Sequence, residues 1–136
     1  MKVVLDANCA IEIALNKKES ERLKVLLDES DQVFAPDLLV PEFVNTLWKY
    51  HQFEQLSVEL CDQALTRMLD LVDTLVPSRE LYREAFALSR AQKTRAAVVS
   101  ACDMFYLALA LRENATLLTL DTTLKKEARR AGVRLG

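Results

Sequence analysis

Residues 2–8 read Lys2-Val3-Val4-Leu5-Asp6-Ala7-Asn8, and this stretch decides the fold class. A short β-branched run that stops at an acid reads as a buried strand turning directly into a helix. The pattern returns near the other end as Thr116-Leu117-Leu118-Thr119-Leu120-Asp121, where Asp121 is placed to cap a last helix reaching about Ala131. Between them, Gln32-Val33-Phe34-Ala35, closed by Pro36, and Val72 to Val76, closed by Pro77, are further strand candidates.

Helices fall between these runs. One is expected from Ala7 to about Asn16, one capped by Ser20 to about Glu29, and one opening near Pro41, which suits only a first turn because it lacks an N–H. Others run from Ser57 to about Leu69 and onward from Ser78 as a cap. Ser100-Ala101-Cys102-Asp103 matches a capping box and opens a helix that is apolar nearly all round from Met104 to Leu111, so it should lie buried in the middle of the domain. Gly132 stops the last helix, after which Val133-Arg134-Leu135 can add an edge strand. Strands alternating with helices predict a single α/β domain over residues 1–136, three layers deep, with a mostly parallel sheet of four to five strands. Right-handed crossovers put the strand C-terminal ends on one edge, where ligands bind near the switch in strand order.

Composition narrows the chemistry. With 136 residues, 51% of them hydrophobic, the chain can bury a core without disulfide staples. Two glycines, Gly132 and Gly136, exclude glycine-rich phosphate loops, and one histidine, His51, excludes a paired-histidine zinc site. Cys9, Cys61 and Cys102 are odd in number and without CxxC spacing, which reads as a reduced, cytoplasmic chain with cysteines used as small buried hydrophobes. The longest apolar run, Met104 to Leu111, is far short of the ~20 residues that span a bilayer. Charge is uneven: residues 1–89 hold 9 Lys/Arg against 16 Asp/Glu, while residues 90–136 hold 9 against 4. A basic C-terminal third on an acidic body suits a local polyanion-facing surface or a merely solvated helix.

Four acids fall where strand ends meet helix starts: Asp6, Glu42, Asp103 and Asp121. Each has an ordinary use as a cap or a partner of the helix dipole. Together, from four segments and beside apolar runs, they pose an electrostatic problem. Two like charges about 5 Å apart repel by roughly 3 kcal/mol at an effective dielectric near 20. Either some carboxyls hold their protons, or a divalent cation neutralises them. Oxygen-only donors select Mg²⁺ or Mn²⁺ over zinc.

The chain resembles a PIN domain, and in particular the small VapC-type toxin ribonucleases of prokaryotic toxin–antitoxin pairs. The resemblance is carried by Val3-Val4-Leu5-Asp6-Ala7-Asn8, Pro41-Glu42-Phe43-Val44-Asn45-Thr46-Leu47, Asp103-Met104-Phe105-Tyr106-Leu107-Ala108-Leu109-Ala110 and Leu118-Thr119-Leu120-Asp121. It implies a PIN fold, a Mg²⁺- or Mn²⁺-dependent endoribonuclease, an antitoxin partner and a homodimer. Family roles fall on Asp6 and Asp103 as principal metal ligands and on Glu42 and Asp121 as completing the catalytic acidic site, with Asn8, Asn45 and Thr119 supporting. Cys102 stands where many relatives carry an aromatic residue, and Met104 where a small residue is common.

An RNA substrate needs a cationic track beside such a pit. Lys125, Lys126, Arg129, Arg130 and Arg134 are candidates, as are Arg90, Lys93 and Arg95. The surplus apolar surface of Ile11, Ile13, Leu15, Leu23, Val25, Leu26 and Leu27 is the candidate partner groove, while Trp48 and Phe53 are expected in the core or at a dimer seam. The competing readings are a catalytically silent PIN scaffold and a phosphatase or phospho-receiver. The phosphatase pattern wants an acid where Asn8 stands, and the receiver pattern is likewise incomplete.

Overall fold

The computed structural model describes residues 1–92 and 98–136, so Lys93 and Arg95 of the second basic cluster lie outside the described residues. The elements are β1 (Lys2–Leu5), α1 (Ala7–Ala14), α2 (Ser20–Asp28), β2 (Gln32–Pro36), α3 (Leu39–Glu54), α4 (Val58–Asp70), β3 (Thr74–Val76), α5 (Tyr82–Arg90), α6 (Ala101–Glu113), β4 (Thr116–Leu118) and α7 (Thr122–Arg130). The four strands form one parallel sheet in the order β3-β2-β1-β4. After β1 the chain builds outward through β2 and β3, then returns across to place β4 on the other side of β1. The switch in strand order therefore lies between β1 and β4, and the crevice at their C-terminal ends is where ligands bind in open parallel sheets.

Val3, Val4 and Leu5 are fully buried, as a central parallel strand covered on both faces must be. Helix α6 packs across β1, β2 and β4 with α5 outside it, and α1 gathers α2, α3 and α4 around itself. The buried Met104, Tyr106, Leu107, Ala108, Leu109 and Ala110 make α6 the central helix that its apolar sequence predicts. Its apolar coat is not complete, because Leu111 emerges to 43% exposure beside α5.

The structure corrects several sequence-derived boundaries. Helix α3 starts at Leu39, so Pro41 occupies its third residue rather than opening it. That position costs no bond, since the first four N–H groups of a helix have no intrahelical partner. Ser20 is no cap: Glu19 holds that position without a side-chain bond, and the Ser20 hydroxyl is buried without a partner among the described residues. Ser78 opens a single 3-10 turn before α5 instead of capping a long helix. Strand β3 begins only at Thr74 because Asp73 takes over the pairing with β2. Its amide donates to the Val33 carbonyl (2.9 Å) and its carboxylate accepts from the Val33 amide (2.7 Å). The expected edge strand at residues 133–135 reduces to one parallel bridge, Leu117 with Leu135.

The apolar face assigned to a partner is also corrected. Ile11, Ile13 and Leu23 are buried, Leu15, Leu26 and Leu27 pack on the core, and only Val25 stays exposed. Three helices closing on α1 at once consume that surface. An uncovered apolar surface lies instead between α3 and α4, where Val44, Leu47, Trp48, Val58 and Leu65 line a groove of about 220 Å³. Trp48 is 53% and Phe53 71% exposed, packed edge-to-face on each other at 6.0 Å rather than in the core. Of the cysteines, Cys9 is buried, Cys61 partly so, and Cys102 exposed. Among the described residues no helix is long and apolar enough to cross a membrane.

Candidate active site

Asp6 ends β1, and its backbone amide donates to the Leu118 carbonyl (3.0 Å), tying the end of β1 to the end of β4. Its side chain caps α1, Oδ1 accepting from the Ala7 amide at 2.7 Å. The other oxygen, Oδ2, accepts from the Thr119 hydroxyl (2.7 Å) and the Asn8 amide (3.2 Å). Thr119 Oγ1 in turn accepts from the Asp121 amide (3.1 Å), and Asn8 Oδ1 from the Leu120 amide (3.1 Å). Asn8 and Thr119 thus lock the two strand ends into one hydrogen-bonded corner with Asp6 at its centre. The ordinary and the functional readings of Asp6 coexist: one oxygen caps a helix while both lie at the switch-point crevice.

A cleft of about 270 Å³ opens at this corner, lined by Asp6, Asn8, Glu42 and Asp103, with Ile11, Glu12, Thr46 and Tyr50 around them. Glu42 comes from the first turn of α3 and Asp103 from the first turn of α6. Among the described residues, none of Asp6, Glu42, Asp103 and Asp121 makes an ion pair with a lysine or arginine. Burial and mutual repulsion raise the proton affinities of Asp6, Glu42 and Asp103. Burial, opposed by the Thr119 hydrogen bond and reinforced by Asp103 and Glu42, pushes the Asp6 carboxyl up to about 7. Partial burial raises Glu42, against the Tyr106 hydrogen bond and with the charge of Asp103. Asp103 is raised by the same desolvation and by the charge of Asp121.

Asp121 stands at the rim. Its Oδ1 caps α7, accepting from the amides of Thr123 (2.8 Å) and Leu124 (3.2 Å). Asn45, which the resemblance gives a supporting role, is exposed and outside the cleft lining, whereas Thr46 and Tyr50, four and eight residues after Glu42, line it. On α7, Lys126, Arg129 and Arg130 are exposed and Lys125 is half-buried, with Arg130 committed to Glu127 at 2.9 Å.

Tyr106 is the residue whose role the sequence reading missed. Fully buried on α6, its hydroxyl donates to Glu42 Oε1 at 2.6 Å, so α6 supplies Asp103 and the anchor of Glu42 from one face. Burial, Asp6 and the other carboxylates push its phenol well above the ordinary tyrosine range, so it remains a donor. The i,i+3 spacing of Asp103 and Tyr106 carries that signal, but naming the acceptor requires knowing that α3 packs there. Tyr106→Phe should destabilise the fold by about 2 kcal/mol in urea unfolding, the scale of a hydrogen bond to a charged group. An unchanged midpoint would show that this bond contributes nothing.

Among the described residues no three acids are drawn together tightly enough to form a closed ion cage. What the corner provides is a set of oxygen donors facing one cleft, without an ion-pair partner among the described residues, three of which burial and mutual repulsion make harder to ionise. That donor set fits a hard divalent ion such as Mg²⁺ or Mn²⁺, to which Asp6, Asp103 and Glu42 would be the cleft-facing ligands and Asp121 a rim ligand.

The PIN domain family model matches residues 3–129. Among solved structures, the chain is similar to one in the VapBC2 complex of Rickettsia felis bound to a DNA fragment from their promoter, with 17% identity, a TM-score of 0.69, and coverage of 100% of this chain and 98% of that one. It is likewise similar to PAE2754 of Pyrobaculum aerophilum (18% identity, TM-score 0.66, 93% of this chain and 79% of that one). A third likeness is to FitAcB of Neisseria gonorrhoeae (19% identity, TM-score 0.65, 98% and 95%). A sequence comparison with curated proteins finds no match.

Proposed function

The chain belongs to the PIN domain family, and from that premise we propose that it is a metal-dependent endoribonuclease, the toxin of a type II toxin–antitoxin pair. The observation that carries this reading is the corner itself. Asp6, Glu42 and Asp103 converge on the switch-point cleft with no ion-paired cation among the described residues, and burial, reinforced by the neighbouring carboxylates, pushes the Asp6 carboxyl up to about 7. A divalent ion bound there supplies activation of a water for in-line attack on phosphorus and offsets charge on the leaving oxygen.

In this reading the chain's own residues have separate tasks. Asp6, Asp103, Glu42 and Asp121 bind the ion. Thr119 and Asn8 fix the rotamer of Asp6 through Oδ2, and Tyr106 fixes Glu42. Lys125, Lys126, Arg129 and Arg130 follow Asp121 on α7 and would draw RNA phosphates toward a cleft that repels them unaided. Cleavage of a mixed single-stranded RNA by the purified protein should appear with Mn²⁺ or Mg²⁺ and vanish with EDTA. Neither cutting nor a metal-dependent rise in melting temperature would leave a catalytically silent scaffold as the better reading.

The antitoxin and the homodimer belong to the same proposal. Complexes named VapBC2 and FitAcB are among the solved structures similar to this chain. The α3–α4 groove with Trp48 at its rim suits the apolar face of an amphipathic helix from an antitoxin. A second apolar face, Tyr82 and Phe86 one turn apart on α5, is exposed and suits a second copy of the chain. Trp48→Asp should release a co-purifying antitoxin and leave the dimer intact, and Phe86→Asp should do the reverse. Pull-down and sedimentation read the two outcomes, and swapped effects would reverse the assignment.

A further inference from the structure

The α3 wall of the cleft extends beyond the acid assigned to the ion. Glu42, Thr46 and Tyr50 recur every four residues on α3, so one helix face carries a ligand candidate at one end and an aromatic ring at the other. The Nζ of Lys17 lies 4.6 Å from the centroid of that ring. Lys17 is held there by its backbone. Asn16 ends α1 in the left-handed region (φ 52°), and the Lys17 amide then donates to the Glu12 carbonyl at 2.9 Å. The lysine is thereby tied to the helix that Asp6 begins.

Positive charge continues from this point. Among the described residues neither Lys17 nor Lys18 makes an ion pair with a carboxylate. Arg22, by its hydrogen bond and charge, together with Lys18 and Lys125, holds the neighbouring Glu19 carboxyl below its ordinary range. Lys125 of α7 thus acts on the same carboxylate as cations of α2 and the α1–α2 turn, although the elements stand about a hundred residues apart in sequence.

We infer that Tyr50 and Lys17 form the nucleotide subsite beside the scissile phosphate, Tyr50 stacking on an unpaired base and Lys17 taking the adjoining phosphate. The inference rests on the ribonuclease reading and deepens it by naming the residues that would seat the nucleotide beside the cut. An aromatic face accepts any base, but only one that has left its own stack, and a base paired in an A-form helix is not free to reach it. An ammonium over a ring, with no carboxylate to leave, exchanges readily onto a phosphate.

The test reads binding first, by anisotropy of a fluorescein-labelled mixed-sequence single-stranded RNA in EDTA, and then cleavage of the same RNA in Mn²⁺. Tyr50→Leu should weaken binding and raise KM about tenfold or more while kcat stays within about twofold. Tyr50→Phe, which keeps the ring, should behave as wild type. Lys17→Gln should lower the slope of log affinity against log salt by about 0.7, the loss of one phosphate contact on a single strand. Annealing the RNA to its complement should weaken wild-type binding and erase the effect of Tyr50→Leu. Tyr50 packs partly on the core, so melting curves accompany each variant. Should Tyr50→Leu fail to fold, the salt slope of Lys17→Gln and the duplex comparison decide alone.

Wild-type KM and salt slope in folded variants of an enzyme that cuts would overturn the subsite, as would equally tight binding of duplex. A wild type that neither binds nor cuts RNA overturns the ribonuclease reading, and the subsite with it.

Discussion

Asp6→Asn and Asp103→Asn, purified alongside wild type, should each lose metal-dependent RNA cleavage by more than about 100-fold, the upper range for removing a group that only orients a ligand. Thr119→Val and Asn8→Ala test that lower range and should lose about 10- to 100-fold, because each leaves the Asp6 carboxylate in place but frees its Oδ2 to turn. The ordering is the informative result. If Thr119→Val costs as much as Asp6→Asn, the hydroxyl does more than position the acid. If wild type and all variants cut alike, the activity is a contaminating nuclease. If neither cuts yet Mg²⁺ raises only the wild-type melting temperature, the ion site stands and a different nucleic acid is the substrate.

Metal-free protein should be most stable in mild acid and lose on the order of 4 kcal/mol of unfolding free energy as pH rises from about 4 to about 7. The sign follows from Asp6, whose carboxyl titrates near 7 when folded against an ordinary value of 3.8. Between those values the folded state holds a proton that the unfolded chain has released. The unfolded state therefore binds fewer protons, and stability falls with rising pH until the folded carboxyl has also ionised. Glu42 and Asp103, both raised, add in the same direction. Urea unfolding in EDTA across this range measures the slope, and Asp6→Asn should flatten most of it while making the protein more stable at pH 7 to 8.

Millimolar Mg²⁺ should recover part of the loss at neutral pH. Free metal at about 100 times its Kd stabilises by about 2.7 kcal/mol. It should do little near pH 4, where protons occupy the same oxygens. Stability that instead climbs from pH 4 to 7 in EDTA would mean that the corner is already neutralised from within. The acids would then be structural caps and no more. A buried carboxylate that destabilises its own fold has a rationale only if something else is gained by keeping it, and ion binding is such a gain.

Local chemistry made much of this molecule legible in the sequence. Strand β1 is a β-branched run cut by an acid, and Asp6 caps α1 as its position foretells. Ser100 caps α6, Asp121 caps α7, and Gly132 takes the positive φ (80°) of a helix stop. The alternation of strand and helix was enough for the parallel α/β architecture. Three of the four acids then face one cleft because strand C-terminal ends and helix N-termini share an edge in any such fold. His51 closes the end of α3, its Nδ1–H donating to the Leu56 carbonyl (2.7 Å).

Whatever depends on which side of a helix meets which neighbour was decided only in three dimensions. Ile11, Ile13 and Leu23 looked like spare apolar surface, yet α2, α3 and α4 close over α1 and leave the opening by Trp48 instead. Asn45 and Thr46 are adjacent in sequence, and the rotation of α3 puts Thr46 in the cleft and Asn45 in solvent. Tyr106 reads as one more apolar-helix residue until Glu42 is found 2.6 Å from its hydroxyl. Lys17 is an unremarked loop cation until α3 brings Tyr50 beneath it. Caps, breaks and alternation act within a few residues and are written in order along the chain. The burial and carboxylate crowding around Asp6, and the faces left uncovered, are sums over segments a hundred residues apart, and packing alone performs that sum.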